Sequence, residues 1–194
     1  MINANDYLAS QAMVRTGGQR ADTKQDLIRS AVALYDRAHT ASRLYGLWSL
    51  LIRRDDQLLE LSQVEASCTI HARCYAGIET VPLRQIRGSA CRSHDFDNLF
   101  RPRRSHNKSR WLTIAVARRM GAILPPVELV RVGDVYFVQD GHHRISVARA
   151  LGQACIEAEV VDWQVTGPLP WLMPTTVQRR QRLPYRAIEP AGTG

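Results

Sequence analysis

The amino-acid sequence predicts an α+β fold, in which a small mixed-sheet domain follows a helical N-terminal segment. Apolar residues repeat with helical spacing over residues 24–39. Two strand-like runs within 127–138 flank Gly133-Asp134, a pair typical of a two-residue hairpin turn. The second run leads into a helix-like stretch, 144–151, and this alternation of strand and helix signals supports the fold class.

The N-terminal third of the chain is predicted to be an arm followed by helices. Residues 1–22 are polar and contain Gly17-Gly18, which is typical of a flexible arm. Residues 23–66 form the predicted helical segment, with helices at 24–39, at 44–52 and from Asp55 onwards. The second of these helices carries an apolar stripe of Leu44, Leu47, Trp48, Leu51 and Ile52. Such stripes usually form helix–helix core, and the segment is also expected to mediate a homodimer or to dock a protein partner.

Residues 75–163 are predicted to form the α+β domain, and residues 164–194 a proline-rich extended tail. The predicted elements are a short strand and turn at 78–86, a helix at 109–120, the hairpin at 127–138, a helix at 144–151 and a last strand at 155–161. Pro82 lies in the first strand and favours an edge position, because proline cannot donate a ladder hydrogen bond.

The positive charge of the chain is concentrated in one window. The net charge is +8, and residues 84–119 contain nine arginines and one lysine against two aspartates. Such a window attracts polyanions, so DNA or a nucleotide is the expected partner class. No apolar run approaches the roughly 18 residues of a membrane span, and residues 1–20 lack the apolar block of a secretory signal. A cytoplasmic protein without a membrane partner, with its four cysteines reduced, is therefore expected.

The run Asp140-Gly141-His142-His143-Arg144 lies between a predicted strand and a predicted helix, and is the candidate phosphate-binding loop. A helix N-terminus favours anions, yet this first turn carries two imidazoles and a guanidinium, which indicates that an anion binds there. Gly141 would allow close backbone approach, and Arg144 offers a planar fork of donors. His142 and His143 are candidate catalytic or phosphate-contacting residues. Asp140 is expected to cap the helix, with tautomer control or Mg²⁺ binding through water as alternatives.

The same loop carries a resemblance to a known superfamily. Val81-Pro82-Leu83 and Ile86, then Leu124-Pro125-Pro126-Val127, the hairpin, and the five-residue loop followed by Val147-Ala148 resemble the ParB/sulfiredoxin-like domain over residues 75–163. The resemblance implies a small α/β fold whose Gly-x-x-Arg loop, here Gly141 and Arg144, holds nucleotide phosphates. In the partition proteins of this superfamily the nucleotide is CTP with a divalent cation, and the domain works with DNA.

The chain departs at informative positions from the families that it resembles. Val147 stands where the partition-protein pattern has alanine, and no helix-turn-helix unit follows residue 163. His142 occupies the position of the catalytic cysteine of sulfiredoxins, which excludes that reductase chemistry. Members with histidine-containing loops include ADP-dependent serine kinases, so CTP, ATP and ADP, each with Mg²⁺, all remain candidate ligands.

Five cations without an intervening acid form the predicted nucleic-acid-binding segment: Arg101, Arg103, Arg104, Lys108 and Arg110. They carry no base-reading motif, so weakly sequence-specific DNA binding is expected. Two metal-site alternatives are also considered. Asp95 and Asp97 with Asp140 and a histidine could form a divalent-metal nuclease site. A zinc site could use the thiols and imidazoles of Cys68, His71, Cys74, Cys91 and His94.

The function predicted from the sequence is a nucleotide-binding ParB-like module that associates with DNA, with slow NTP hydrolysis as an added activity. One alternative is an enzyme, either a metal-dependent nuclease or an ADP- or ATP-dependent small-molecule kinase. The other is a non-catalytic interaction protein that uses the helices of residues 24–66.

Overall fold

The computed structural model describes residues 21–52 and 56–172. In this part the chain folds into a six-stranded mixed sheet with helices on both faces, and the predicted α+β class is confirmed. The helices are α1 (Ala21–Leu51), α2 (Leu61–Ser67), α3 (Lys108–Arg119) and α4 (His142–Ala150). The strands are β1 (Leu59–Glu60), β2 (Thr69–Pro82), β3 (Ile86–Ser89), β4 (Val127–Val132), β5 (Val135–Asp140) and β6 (Cys155–Thr166). Short 3-10 turns lie at Leu83–Gln85, Ser105–Asn107 and Pro170–Leu172.

The strand order is β1-β3-β5-β4-β6-β2, so β5 lies near the middle of the sheet and β2 at an edge. The predicted hairpin is confirmed as β4 and β5, which pair antiparallel with Val132 opposite Val135. All four residues of the run 135–138 are buried, as expected for a strand covered on both faces. The edge position predicted from Pro82 is also confirmed, because this proline ends β2.

Each face of the sheet is covered by different elements. Ile145 and Ala148 of α4 join the core on the face that includes Val138. Leu61 and Val64 of α2 join the core on the opposite face. A third apolar cluster joins α1 and α3 to α4, with the indole of Trp111 fully buried at its centre. Helix α4 is therefore held between the sheet and an outer helical layer.

The N-terminal segment differs from the prediction. Residues 24–39 and 44–52, predicted as two helices, form the single helix α1, since residues 40–43 contain no glycine or proline to break it. The predicted third helix is replaced by β1 and the short α2. The stripe from Leu44 to Ile52 was predicted to be core, and it is exposed instead. No helix of the described part is long and apolar enough to cross a membrane.

Two strands run past their predicted ends. β2 begins at Thr69 and β6 ends at Thr166, because these strands pair from Thr69↔Thr166 to Pro82↔Cys155. The expected domain limits at residues 75 and 163 thus fall inside strands. Part of the predicted tail packs on the body, since the rings of Trp171 and Phe137 lie 5.7 Å apart. Residues 1–20 of the predicted arm and residues 173–194 of the tail lie outside the described residues.

Candidate functional site

The bend between β5 and α4 is built on Gly141. Its φ of +97° lies in the left-handed region, and α4 begins at the next residue, two residues earlier than predicted. A Cβ at this position would lie 2.5 Å from Cγ1 of Val127 in β4. Glycine is therefore required both by the backbone angle and by the contact with the neighbouring strand.

The guanidinium of Arg144 is engaged by acceptors of the protein. Its Nη2 donates to Oδ2 of Asp140 at 2.6 Å, and its Nη1 donates to the carbonyl oxygens of Pro125 and Pro126 at 2.6 and 2.7 Å. The expectation that Asp140 caps the helix is wrong, because the N-cap residue is Gly141 and no side-chain cap bond forms. Asp140 balances the arginine charge, so the first turn does not depend on a bound anion for compensation.

His142 is buried and hydrogen-bonded. Its Nε2 lies 2.8 Å from Oγ of Ser89, whose oxygen also accepts the backbone N–H groups of Cys91 and Arg92. The Ser89 hydroxyl proton is left to point at the imidazole, so Nε2 accepts and Nδ1 carries the proton. Burial lowers the pKa of His142 to about 4, with a further contribution from the charge of Arg92. The ring is neutral near pH 7.

His143 is buried without a hydrogen-bond partner. It is 5% exposed, and neither ring nitrogen has a partner among the described residues. Its ring contacts Phe96 edge-on, with centroids 5.3 Å apart. Burial, then the charges of Arg110 and Arg92, lower the pKa of His143 to about 4. Both loop histidines are therefore uncharged near pH 7, which removes the rest of the positive charge expected in this turn.

A small cavity of about 30 Å³ lies at the start of α4. Its wall is formed by Arg92, Arg110, Ile114, Asp140, Gly141, His142, His143 and Arg144. Arg92 and Arg110 are exposed, and neither forms an ion pair with an acid of the described chain. The first N–H groups of α4 also lack intrahelical acceptors and carry partial positive charge. The cavity wall therefore combines a helix N-terminus with two guanidinium groups that have no acidic partner in the part of the chain that the structure describes.

Arg92 was missed as a site residue by the sequence reasoning, and Arg110 was assigned to nucleic acid alone. The sequence carries no signal for Arg92, because its place in the site depends on the parallel pairing of β3 and β5, which only the structure shows. Residues that follow parallel neighbouring strands emerge at the same edge of a sheet. Arg92 follows β3 as Gly141 follows β5, and this topology brings them to one cavity.

Four of the five predicted nucleic-acid-binding cations are paired with acids that lie outside the segment 101–110. The pairs are Arg101 with Asp97 at 2.7 Å, Arg103 with Asp56 at 2.6 Å, Arg104 with Asp95 at 3.8 Å, and Lys108 with Asp36 at 2.8 Å. Only Arg110 of this set lacks an acidic partner within the described residues. The free charge of the segment is thus much smaller than its composition indicates.

Neither metal-site alternative is assembled. Within residues 21–52 and 56–172 no group of three His, Cys, Asp or Glu side chains is placed to hold a metal ion. Asp97 is fully buried and accepts hydrogen bonds from the backbone N–H groups of Leu99 and Arg101, so it stabilises a turn. The predicted zinc ligands Cys68, His71, Cys74, Cys91 and His94 do not converge, and all four cysteines are free.

Comparisons with known proteins are sparse. No protein-family model and no curated protein matches the chain. Among solved structures, the chain is similar to sulfiredoxin from Arabidopsis thaliana, with 20% sequence identity and a TM-score of 0.34 over 55% of this chain and 98% of that chain.

Proposed function

We propose that this chain is a nucleotide-binding, ParB-like module that associates with DNA, and that the nucleotide phosphates bind at the start of α4. One observation carries the proposal. Among residues 21–52 and 56–172, the buried imidazole of His143 has no hydrogen-bond partner, and it lines the same small cavity as Arg92 and Arg110, which have no acidic partner there.

Phosphate chemistry fits this arrangement better than any other ligand class. Free N–H groups at a helix start and two guanidinium groups all donate, and charge-assisted bonds to phosphate oxygens are among the strongest. A buried polar group without a partner costs about 1–3 kcal/mol. A phosphate oxygen that accepts the N–H of His143 would offset that cost. Gly141 lets a phosphate approach the backbone closely, because glycine has no Cβ to lie between them.

The size of the cavity limits how the nucleotide binds. About 30 Å³ accommodates one or two water-sized groups. The cavity therefore takes phosphate oxygens, while sugar and base lie on the outer surface, and CTP, ATP and ADP fit this requirement equally. Asp140 is the acidic side chain of the wall and would contact Mg²⁺ through water, as Mg²⁺ usually combines one or two carboxylates with phosphates. The bound Mg²⁺ would supply charge neutralisation of the phosphates.

Arg144 plays a different part from the one expected. Because three of its five N–H groups already donate to Asp140 and two carbonyls, Arg144 holds the bend in place, and only Nε–H and the second N–H of Nη2 are left to donate to a phosphate. We assign the main charge contacts to Arg92 and Arg110. Catalytic roles for His142 and His143 stay predictions, and release of inorganic phosphate from the bound nucleotide would measure them.

A thermal-shift panel with CTP, ATP and ADP, each with and without Mg²⁺, tests the nucleotide proposal. A ligand at a hundred times its Kd stabilises by about 2.7 kcal/mol. For a chain of this size that is a rise of roughly 5–10 °C in Tm. Arg110→Ala should lose most of the rise. Arg84→Ala is the matched control, because Arg84 is also an exposed arginine but lies away from the cavity. It belongs to the 3-10 turn Leu83–Gln85, which contacts the C-terminal end of α4 through the bond from Arg149 to the Leu83 carbonyl. A panel without any shift would refute the proposal.

The DNA association has its own test. Binding to duplex DNA weakens with a log–log salt slope of about −0.9 for each phosphate contact. With four of the five segment cations paired, Arg110 remains, and Arg92 is the other exposed arginine of the α4 cavity without an acidic partner among the described residues. About two phosphate contacts and a slope of roughly −2 are therefore expected, rather than the about −4.5 of five unpaired cations. Fluorescence anisotropy over a salt series measures the slope, and absence of binding at low salt would exclude DNA as a partner.

A further inference from the structure

The C-terminal half of α1 exposes a continuous apolar stripe. Leu44, Leu47, Trp48 and Leu51 are 62%, 66%, 58% and 78% exposed. Their spacing of three, four and seven residues puts them on one side of the helix. We call these four residues the α1 stripe. Contiguous exposed apolar surface of this kind usually marks an interaction site.

The opposite side of α1 is small and polar, and it faces the body of the protein. Ser42 and Ser49 are 4% and 3% exposed, and Gly46 lies between them, opposite the carboxylate of Asp56. At 100° per residue these three positions point about half a turn away from the α1 stripe. The C-terminal half of α1 is therefore inverted relative to an ordinary surface helix, with large apolar side chains outside and small polar residues inside.

Charge argues for an apolar occupant. The nine residues 44–52, Leu-Tyr-Gly-Leu-Trp-Ser-Leu-Leu-Ile, contain no charged side chain. A nucleic acid or a charged protein surface would find no ionic partner here. A second apolar surface needs no ionic partner. The α1 stripe is complementary to itself, because a two-fold axis through its centre places apolar residues against apolar residues.

We propose that α1 packs antiparallel against α1 of a second copy through the α1 stripe, to form a two-fold symmetric dimer. About two thirds of each of four large side chains is available for burial, and Leu50 and Ile52 flank them. This amounts to roughly 500 Å² per copy and on the order of 1,000 Å² in total, which reaches the lower limit of specific interfaces. The inference does not depend on nucleotide binding, because the stripe and the α4 cavity share no residue.

Sedimentation velocity of the full chain over a wide dilution series tests the dimer. The wild type should sediment as a dimer, and Leu47→Glu and Leu51→Glu should each sediment as monomers. Their melting temperature at high dilution should match that of the wild type, because both side chains are already exposed in one copy. Ile123→Glu is the matched control, since Ile123 is 89% exposed but lies outside α1, and this variant should stay dimeric.

Three results would overturn the inference. A monomeric wild type at every concentration would exclude the dimer. Dimers that persist in both glutamate variants would place the interface elsewhere. A monomeric wild type that co-sediments with anionic phospholipid vesicles would assign the α1 stripe to a membrane surface. If a glutamate variant fails to fold, Leu47→Ser replaces it, and the dimer should then weaken at least tenfold.

Discussion

Replacing Gly141 with alanine tests how tightly the bend before α4 packs on β4. The new Cβ would lie 2.5 Å from Cγ1 and 2.8 Å from Cβ of Val127, and the residue would have to keep a φ of +97°. Left-handed backbone costs a non-glycine residue about 1–2 kcal/mol. Forcing a methyl group into filled space costs about 1–3 kcal/mol more. The free energy of unfolding should therefore fall by about 2–5 kcal/mol.

Gly152→Ala separates the two contributions. Gly152 has a φ of +73°, but a Cβ there meets nothing within 4 Å, so only the backbone cost applies. The loss of unfolded-chain entropy is common to both variants and cancels in the comparison. Equilibrium unfolding in urea should show Gly141→Ala less stable than Gly152→Ala by about 1–3 kcal/mol. Equal stabilities would mean that Val127 relaxes freely, and the packing argument for this bend would be refuted.

Further predictions concern the buried polar groups. The folded pKa values of His142 and His143, about 4, lie below 6.5, so the unfolded chain binds protons first as the pH falls. The free energy of unfolding should be highest above pH 6.5 and should fall as the pH is lowered towards 4, by on the order of 3 kcal/mol for each imidazole. Denaturant titrations at several pH values measure this profile, and His143→Gln should make it flatter. Asp97→Asn should lower the free energy of unfolding by about 3–5 kcal/mol, because it leaves the half-buried Arg101 without its ion-pair partner. Asp26→Asn, which breaks the exposed pair with Arg29, should change it by less than about 0.5 kcal/mol. Ser89→Ala should lower the free energy of unfolding by about 1–3 kcal/mol in the same assay. It removes the hydroxyl that donates to His142 and accepts the backbone N–H groups of Cys91 and Arg92. An unchanged denaturation midpoint would contradict these hydrogen bonds.

Features set by local sequence were predictable. The Gly133-Asp134 turn and the apolar run of β5 depend on neighbouring residues, and the structure places both as expected. The length of β2 was not predictable, because its ladder is completed by β6, which lies far away in the sequence. Likewise, helical spacing predicts that Leu44 and Leu51 share a side of α1, but it does not say on which side the body lies.

The amino-acid sequence by itself determined the number of cations between residues 84 and 119 and the presence of two imidazoles and a guanidinium after β5. Only the tertiary structure decided which of these groups carry free charge. Lys108 is paired with Asp36, 72 positions away, and Arg103 with Asp56, 47 positions away, while burial keeps His143 neutral. The physical reason is that Coulomb energy and desolvation depend on distance and burial in space, which residue order alone does not specify.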